Sequence, residues 1–376
     1  MPIGTRQRSM AEETSTLSVF YHPDFLKYRV PAGVFDGEPS GYLDLQIDQP
    51  EGPERIRNTK GVLERTALSS QLEWQVPQAA SDEELLQFHT RDYIQRLKEF
   101  DLVGDYISQS TYLPKGGLNT VRLSAGAAIG AARQVLAGKS RMAYAISRPP
   151  SHHAQPGEAD GYCFINGIGL AALEAIKEGC RRVAVIDWDV HHGNGTQVGF
   201  YDRDDVLTIS MHMDHGAWGP THVQTGDVDE IGEGRGEGYN LNLPIPFGAG
   251  DHCYNRIMER CVVPAVTDFK PDLIVLANGQ DANQFDPNGR QCVTMAGYYR
   301  LALKVRELAK SYCGGRLVMT QEGGYNPTYA PYCAYSVVSA LLAVEPEISD
   351  PVSFYPEDTV RADRDVEELV ARHPLL

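Results

Sequence analysis

The sequence predicts an α/β fold, with a single domain of three layers (α/β/α) around a central and mainly parallel sheet. Short, continuously apolar runs such as residues 183–186 are typical of strands buried on both faces of a parallel sheet. Segments with the apolar spacing of helices separate these runs, and such alternation implies right-handed crossovers between parallel strands. No linker divides the chain. We therefore expect one domain at residues 18–376 after a disordered leader at residues 1–17.

Composition and charge limit the class of protein. The 376 residues are 42% hydrophobic, which is enough for one large domain. The net charge of −16 and the lack of a Lys/Arg cluster argue against nucleic acid as a partner. Seven cysteines without a CxxC pair indicate reduced thiols and a cytoplasmic protein. No apolar stretch has the length of a membrane span or of a signal-peptide core, so no membrane association is expected.

The predicted elements alternate along the chain. Strands are predicted at residues 17–21, 142–147, 183–188, 206–210, 273–277 and 317–320. Helices are predicted at residues 53–69, 118–137, 166–178 and 363–372, and another helix is predicted to begin with the capping-box pattern at residues 81–84. Residues 22–52 are rich in Gly, Pro and Asp, and we expect them to form a loop on the substrate face.

The stretch at residues 183–197 marks the centre of a candidate site. Its apolar run ends in Asp187, Asp189 and His191. Alternate side chains of an extended segment point the same way, and the carboxyl ends of strands in open α/β sheets are where sites are built. Two carboxylates and one imidazole suit a borderline divalent cation. The alternative is a capped strand-to-helix turn with a solvated pair of acids.

Other predicted strands also end in polar groups. His152 and His153 follow the strand at residues 142–147, Asp281 follows a second strand, and Tyr325 follows a third. Taken singly, these could be surface histidines, a turn residue and a packed aromatic. Because the carboxyl ends of parallel strands share one edge of the sheet, their joint occurrence favours a common site.

This set of residues suits the hydrolysis of an amide. A mononuclear zinc held by Asp189, His191 and Asp281 would keep a position open for water and substrate. The two adjacent imidazoles supply a general base and a general acid near neutral pH. The candidates to act with the metal are the histidines His152 and His153, their orienting partners Asp187 and Asn194, and Tyr325 as donor to the oxyanion.

Together these motifs resemble the histone deacetylase family, within the arginase–deacetylase fold, and in particular the bacterial class II-like amidohydrolases. The resemblance runs from about residue 18 to about residue 345. The segments that carry it are PERI at 53–56, RPPSHHAQPGEADGYCFIN at 148–166, VAVIDWDVHHGNGTQ at 183–197, VLTISMH at 206–212, GEGYNLNLPIP at 236–246, GQDANQFDP at 279–287 and QEGGY at 321–325.

The resemblance implies the same zinc ligands, with His153 nearer the role of general base, Asp187 orienting His152 and Asn194 behind His153. It also implies a structural potassium ion beside the zinc. The positions that match the potassium site are Asp187, Asp189, His191, Ser210 and Met211. The positions expected to contact the substrate are Gly161, Tyr162, Gln280 and Gly323.

The chain departs from the family pattern near the expected channel. Ser151 replaces the usual Gly before the histidine pair, Tyr162 replaces Phe, Gln280 stands where bacterial relatives commonly have Phe, and Gly167 replaces Asn or Asp. The loop at residues 215–223 lacks the usual Phe-Pro-rich wall. None of these positions is an implied zinc ligand. The resemblance therefore implies hydrolysis, while the departures indicate an acylated amine other than plain acetyl-lysine.

Several readings of the function stay open at this point. The main one is hydrolysis of an acylated amine, such as an acyl-lysine or an acetylpolyamine, and a small-molecule amidase is its nearest alternative. A binuclear manganese ureohydrolase would need more acids than DWDVHH supplies, and a non-catalytic acyl-lysine binder would not need Tyr325. A homo-oligomer is left open. The histidines at positions 22, 89, 215, 222 and 252 lack a comparable context, and we expect them in loops.

Overall fold

The computed structural model describes residues 16–34, 37, 39–108, 110–214, 225–352 and 356–376. The leader expected at residues 1–17 falls almost entirely outside these ranges, since the first described strand begins at Leu17. The loop at residues 215–223, with the histidines at 215 and 222, also lies outside them. In the described part of the chain, no helix is long and apolar enough to cross a bilayer.

Eight strands form one sheet in which every neighbouring pair is parallel. The strands in chain order are β1 (Leu17–Phe20), β2 (Leu72–Gln75), β3 (Asp105–Ser108), β4 (Thr111–Leu113), β5 (Met142–Ala145), β6 (Val183–Asp187), β7 (Val206–Met213), β8 (Asn240–Ile245), β9 (Leu273–Asn278) and β10 (Leu317–Gln321). The sheet order is β2-β1-β5-β10-β9-β6-β7-β8, and β3 and β4 form a separate antiparallel pair. The predicted parallel sheet is confirmed.

Helices pack on both sides of this sheet. They are α1 (Glu54–Arg65), α2 (Asp82–Leu85), α3 (Arg91–Val103), α4 (Leu118–Leu136), α5 (Gly167–Lys177), α6 (Asn194–Phe200), α7 (Asp251–Ile257), α8 (Val263–Phe269), α9 (Met295–Tyr312), α10 (Ala330–Leu342) and α11 (Thr359–Arg372). One layer contains α4 and α5, which pack on each other and on the central strands. The other layer contains α1, α9 and α10, in which α10 packs on both α1 and α9.

The two edge strands of the sheet were not predicted. In β2 only Leu72 is buried, so the segment has little of the hydrophobicity that marks a buried strand. In β8 the sequence NLNLPI alternates Asn with Leu and contains Pro244, although most of the strand is buried. Both strands are recognised by their pairing with β1 and β7, which local composition does not encode.

Some helix boundaries also differ from the prediction. The helix predicted at residues 53–69 ends at Arg65 and continues as a separate 3-10 turn at Ala67–Gln71. The predicted capping box is present, because the side chains of Ser81 and Glu84 each accept a hydrogen bond from the other residue's backbone N–H. However, α2 ends after one turn. His252 was expected in a loop and instead lies in α7.

His89 is buried in the segment that joins α2 to α3, and it contacts the residue before α5. Its Nε2 accepts a hydrogen bond from the backbone N–H of Asn166 at 2.9 Å, directly before α5. Burial lowers the pKa of His89 to about 4, because the charged imidazolium is poorly solvated there. The folded protein therefore favours the neutral form of the His89 ring.

The loop at residues 22–52 is attached to the core by buried charges. The Arg148 guanidinium forms a bidentate pair with Glu51, at 2.9 and 2.6 Å, and also donates to the carbonyls of Phe25 and Tyr28. Arg55 of α1 lies 3.4 Å from the same Glu51 carboxylate. Since Arg148 directly precedes the segment that carries the histidine pair, this cluster joins the loop to the candidate site.

We expect acid to destabilise the protein through His89. The folded pKa of about 4 lies below the unfolded value of about 6.5. The contribution is therefore fully present above about pH 6.5 and is lost as the pH falls towards 4. At pH 5 the loss is roughly 2 kcal/mol. His89→Gln keeps an acceptor but does not titrate. Denaturant unfolding at pH 7 and pH 5 should show a smaller loss for the variant, and parallel losses would contradict this role.

We expect Glu51→Gln to lower the free energy of unfolding by about 3–5 kcal/mol, because two buried guanidinium groups lose their counter-charge. The matched control is Asp48→Asn, in the same loop, whose exposed carboxylate lies 3.7 Å from Arg29. This control should cost no more than about 1 kcal/mol. Urea unfolding of both variants gives the comparison, and equal effects would show that the buried cluster is not the anchor.

Candidate metal centre

The candidate metal-binding segment begins where β6 ends. The chain leaves the strand after Asp187, whose Oδ1 accepts the backbone N–H of Asp189 at 3.0 Å. The Asp189 Oδ1 in turn accepts the N–H of His191 at 3.0 Å. The sequence suggested an extended segment with alternating side chains. The observed geometry instead is two successive side-chain-capped turns, which also bring the side chains together.

Three of the predicted metal ligands converge. The donor atoms of Asp189, His191 and Asp281 all lie within 4.8 Å of one another, and all three residues are buried. The His191 Nδ1 lies 3.1 Å from Asp189 Oδ1 and 3.1 Å from Asp281 Oδ2. The Asp281 Oδ1 is held by the N–H of Val190 at 2.9 Å, and the Asp189 Oδ2 by the N–H of Gly323 at 2.7 Å.

The charges of this cluster fit a divalent cation. Burial and the nearby Asp189 carboxylate raise the pKa of Asp281 to about 8 without a cation. Burial would also raise the pKa of Asp189, but the positive charges of His152 and His191 outweigh it and hold that pKa well below its usual range. Two buried carboxylate oxygens and one imidazole nitrogen form the donor set of a zinc-like ion, which would relieve their mutual repulsion.

Glycine is required on both sides of the carboxylates. A Cβ added to Gly279 would overlap the Asp189 carboxylate, and one added to Gly323 would overlap the carboxylate of Asp281. Gly323 was predicted to contact the substrate. It lies against the carboxylates of Asp189 and Asp281, and its N–H orients Asp189.

The two histidines have different partners. The Nδ1 of His152 lies 2.9 Å from the Asp187 carboxylate, whereas the Nδ1 of His153 lies 2.7 Å from the Asn194 Oδ1. Burial alone would lower the pKa of His152, but the carboxylates of Asp189 and Asp187 outweigh it and raise that pKa to about 10. Burial and the neighbouring positive His152 lower the pKa of His153 well below its usual value. The two rings therefore differ in environment, since His152 faces a carboxylate and His153 faces an amide oxygen.

Tyr325 lies beside this group. Its ring centroid is 6.4 Å from that of His191, and its backbone N–H donates to the buried Asp286 carboxylate at 2.6 Å. Burial raises the pKa of Tyr325 well above 10, so the hydroxyl keeps its proton and can donate a hydrogen bond. The Arg55 guanidinium lies 5.1 Å from the ring centroid and donates to the carbonyl of Gly324 at 3.1 Å.

Tyr162 and Gln280 have different surroundings, although both were predicted to contact the substrate. The Tyr162 ring packs edge-on against Tyr325 with centroids 5.5 Å apart, at a position that can wall a channel. The Gln280 amide is engaged within the protein, since it donates to the Asn278 carbonyl at 2.6 Å and accepts from Gln321 at 2.8 Å.

Three of the residues matched to a potassium site lie on neighbouring strands, and the other two, Asp189 and His191, lie in the turns that follow β6. Asp187 of β6 is paired in register with Ser210 of β7, and Met211 follows. The Ser210 hydroxyl lies 3.0 Å from the Nδ1 of His212 and 3.4 Å from the N–H of Gly193.

Glu322 is a site residue that the sequence analysis missed. Its fully buried carboxylate accepts hydrogen bonds from the Ser151 N–H at 2.6 Å, the Ser151 hydroxyl at 2.7 Å and the His152 N–H at 3.1 Å. The sequence feature that could have identified Glu322 is an acidic residue directly after an apolar strand, within the QEGGY segment. Ser151, one of the departures from the family pattern, therefore adds a hydroxyl donor to the carboxylate behind the histidine pair.

Comparisons with known proteins agree with this geometry. The family model described as histone deacetylase domain matches residues 49–341. The protein named histone deacetylase 8 of Arabidopsis thaliana is 45% identical over 365 residues, which cover 96% of this chain and 97% of that protein. The histone deacetylase-like amidohydrolase of Pseudomonas aeruginosa is 43% identical over 305 residues, which cover 80% of this chain and 79% of that protein.

A solved structure of the HDA15 HD domain matches the fold with a TM-score of 0.81 at 29% identity, and the match covers 96% of each chain. The family match spans well over half of the sequence, and both relatives exceed 30% identity over most of it. These findings confirm the resemblance seen in the sequence. The chain belongs to the histone deacetylase family, and it is a hydrolase that acts on amide bonds.

Proposed function

We propose that this chain is a zinc-dependent amidohydrolase that cleaves the amide bond of an acylated amine. The observation that carries the proposal is the buried cluster of Asp189, His191 and Asp281, with two differently partnered histidines and the Tyr325 ring beside it. A binuclear manganese site is less well supported, because among the described residues only one group of three ligands has metal-binding spacing.

The protein groups have distinct parts in the proposed reaction. A zinc ion held by the three ligands would act as a Lewis acid towards the amide carbonyl and water. His153, with its Nδ1 held by Asn194, takes a proton from the water at Nε2. His152 stays protonated beside Asp187 and can donate a proton to the leaving amine. Tyr325 donates a hydrogen bond to the oxygen of the carbonyl as negative charge develops on it.

The substrate proposed is an acylated amine that accepts polar contacts near the amide, such as an acetylpolyamine, a modified acyl-lysine or another small amide. The support is Tyr162, whose hydroxyl accepts from Asn288 at 3.4 Å and so makes one wall of the expected channel polar. This feature also keeps a small-molecule amidase as the second candidate.

Further parts of the proposal rest on the family resemblance and on composition. A structural potassium ion would bind near Asp187, Ser210 and Met211. The protein would act in the cytoplasm on a small-molecule or acyl-lysine-type substrate, without nucleic acid or membrane as partners, and a homo-oligomer is compatible with this function.

The proposal is tested by removing the metal and reloading the protein with zinc or manganese. Each form is assayed with an acetyl-lysine peptide, acetylpolyamines, a trifluoroacetyl-lysine substrate and small anilides. The proposal expects turnover that needs about one zinc per chain. Turnover that needs two manganese ions per chain would contradict it, and so would the absence of turnover with zinc bound.

We expect Tyr325→Phe to lower kcat by at least about 10-fold, because the variant loses one hydrogen-bond donor to the oxyanion. Zinc content should stay at that of the unmodified protein. The matched control is Tyr332→Phe on the half-buried side of α10, which should keep full activity. An unchanged kcat in Tyr325→Phe would remove this hydroxyl from the mechanism.

We expect His191→Ala to abolish stoichiometric zinc binding, because the site keeps only two carboxylate ligands. The control is His252→Ala on α7, a half-buried histidine outside the candidate site, whose Nε2 lies 2.8 Å from Asp363. After dialysis with zinc and removal of the excess, elemental analysis should find about one zinc per chain in the control and almost none in His191→Ala. Equal zinc content would refute the ligand assignment.

A further inference from the structure

A carboxylate lies behind the amide that holds His153. The Asn194 Nδ2 donates to the Asp160 Oδ2 at 2.9 Å, and the Asn194 Oδ1 lies 2.7 Å from the His153 Nδ1. The three side chains thus form a hydrogen-bonded series that runs from the half-buried Asp160 to the catalytic cluster. Neither the sequence analysis nor the family resemblance assigned a role to Asp160.

The polarity of this series is decided by Asp160. The two ends of an asparagine amide have nearly the same shape, so shape alone does not orient the group. A carboxylate only accepts hydrogen bonds, and Asn194 must therefore turn its Nδ2 towards Asp160 and its Oδ1 towards His153. An amide oxygen also only accepts, so the Nδ1 of His153 must carry a proton. The lone pair of the neutral ring is then on Nε2.

The position of Asp160 is fixed by a tight turn. The backbones of Asp160 and Cys163 exchange hydrogen bonds, and Gly161 and Tyr162 between them have φ values of 47° and 67°. Two consecutive left-handed residues are typical of a type I′ turn. The Asp160 Oδ1 accepts the N–H of Gly161 at 2.9 Å, which leaves Oδ2 directed at Asn194.

The same turn packs on the imidazole. A Cβ added to Gly161 would overlap the ring of His153, so the backbone of the turn lies directly against it. The turn therefore restricts His153 by direct contact through Gly161 and by hydrogen bonds through Asp160 and Asn194. His152 needs no such relay, because its Nδ1 faces the Asp187 carboxylate directly.

We propose that Asp160 is a positioning residue that sets the tautomer of His153 through Asn194 and so assigns the general base to His153. This inference rests on the proposed hydrolysis. In the step it serves, an O–H bond of water breaks, the proton binds Nε2 of His153, and the Nδ1 proton stays in place. The charge of Asp160, one amide away, stabilises the imidazolium that results.

The test uses the full-length, zinc-loaded protein with ¹⁵N-labelled histidine. The ring signals of His153 are assigned with a His153→Gln variant, and ¹⁵N NMR then reports which ring nitrogen carries the proton. The kcat and KM for the best acyl-amine substrate are measured in parallel. The variants are Asp160→Ala, Asp160→Asn and the double variant Asp160→Ala/Asn194→Asp, with Glu158→Ala as a control that removes an exposed charge from the same loop.

We expect Asp160→Ala to give a mixture of His153 tautomers and to lower kcat by about 10- to 100-fold with little change in KM. Asp160→Asn should favour the Nε2–H tautomer and also lower kcat, because its Oδ1 stays on the Gly161 N–H and its Nδ2 then donates to Asn194, which reverses the amide. The double variant places a carboxylate directly against His153, which should restore both the Nδ1–H tautomer and kcat. Glu158→Ala should match the unmodified protein. If Asp160→Ala does not fold, Asp160→Ser replaces it, since Ser suits turns but is too short to reach Asn194.

Two results would overturn the proposal. One is a pure Nδ1–H tautomer in Asp160→Ala, whatever its activity, because Asp160 would then only support the turn. The other is a double variant that stays as impaired as Asp160→Ala. The NMR measurement does not need turnover. A protein without amidase activity but with the expected tautomers would refute the proposed function and leave the role of Asp160 intact.

Discussion

Several carboxylates are buried at one edge of the sheet, and their need for counter-charge and hydrogen bonds constrains the rest of the structure. Asp187, Asp189, Asp281 and Glu322 are each at most 3% exposed. A buried carboxylate that is not paired is too costly for a folded protein to keep. Backbone N–H groups and histidines satisfy most of their oxygens. The remaining unbalanced charge is concentrated between Asp189 and Asp281, where a cation fits the donor set.

The parallel sheet makes this concentration possible. Because the carboxyl ends of β6, β9 and β10 are adjacent, the candidate ligands Asp189 and Asp281 and the turn that carries Tyr325 meet although they are far apart in the sequence. The buried pair of Glu51 and Arg148 then connects the long loop before α1 to the segment of the histidine pair. Stability and site geometry are therefore supplied by the same contacts, and the site cannot be loosened without cost to the fold.

The sequence predicted the parts of the site that follow strands. His152, His153, Asp189, His191 and Asp281 follow apolar runs after short polar segments, and a parallel sheet brings the ends of those runs to one edge. That argument could not predict the roles of Glu322 and Asp160, or the existence of the edge strands β2 and β8. Glu322 acts on Ser151, 171 residues earlier in the chain. Asp160 contacts the Asn194 amide at the start of α6, and the edge strands depend on pairing. Such contacts are fixed by tertiary packing, which local patterns do not contain.

The central claim is that one metal ion binds between Asp189, His191 and Asp281, with the histidine pair beside it. Anomalous X-ray diffraction from crystals of the zinc-loaded protein, recorded above and below the zinc absorption edge, tests it most directly. We expect a single anomalous peak within bonding distance of the His191 Nδ1 and one oxygen of each carboxylate. A peak at any other position, or two metal peaks bridged by these carboxylates, would contradict the account.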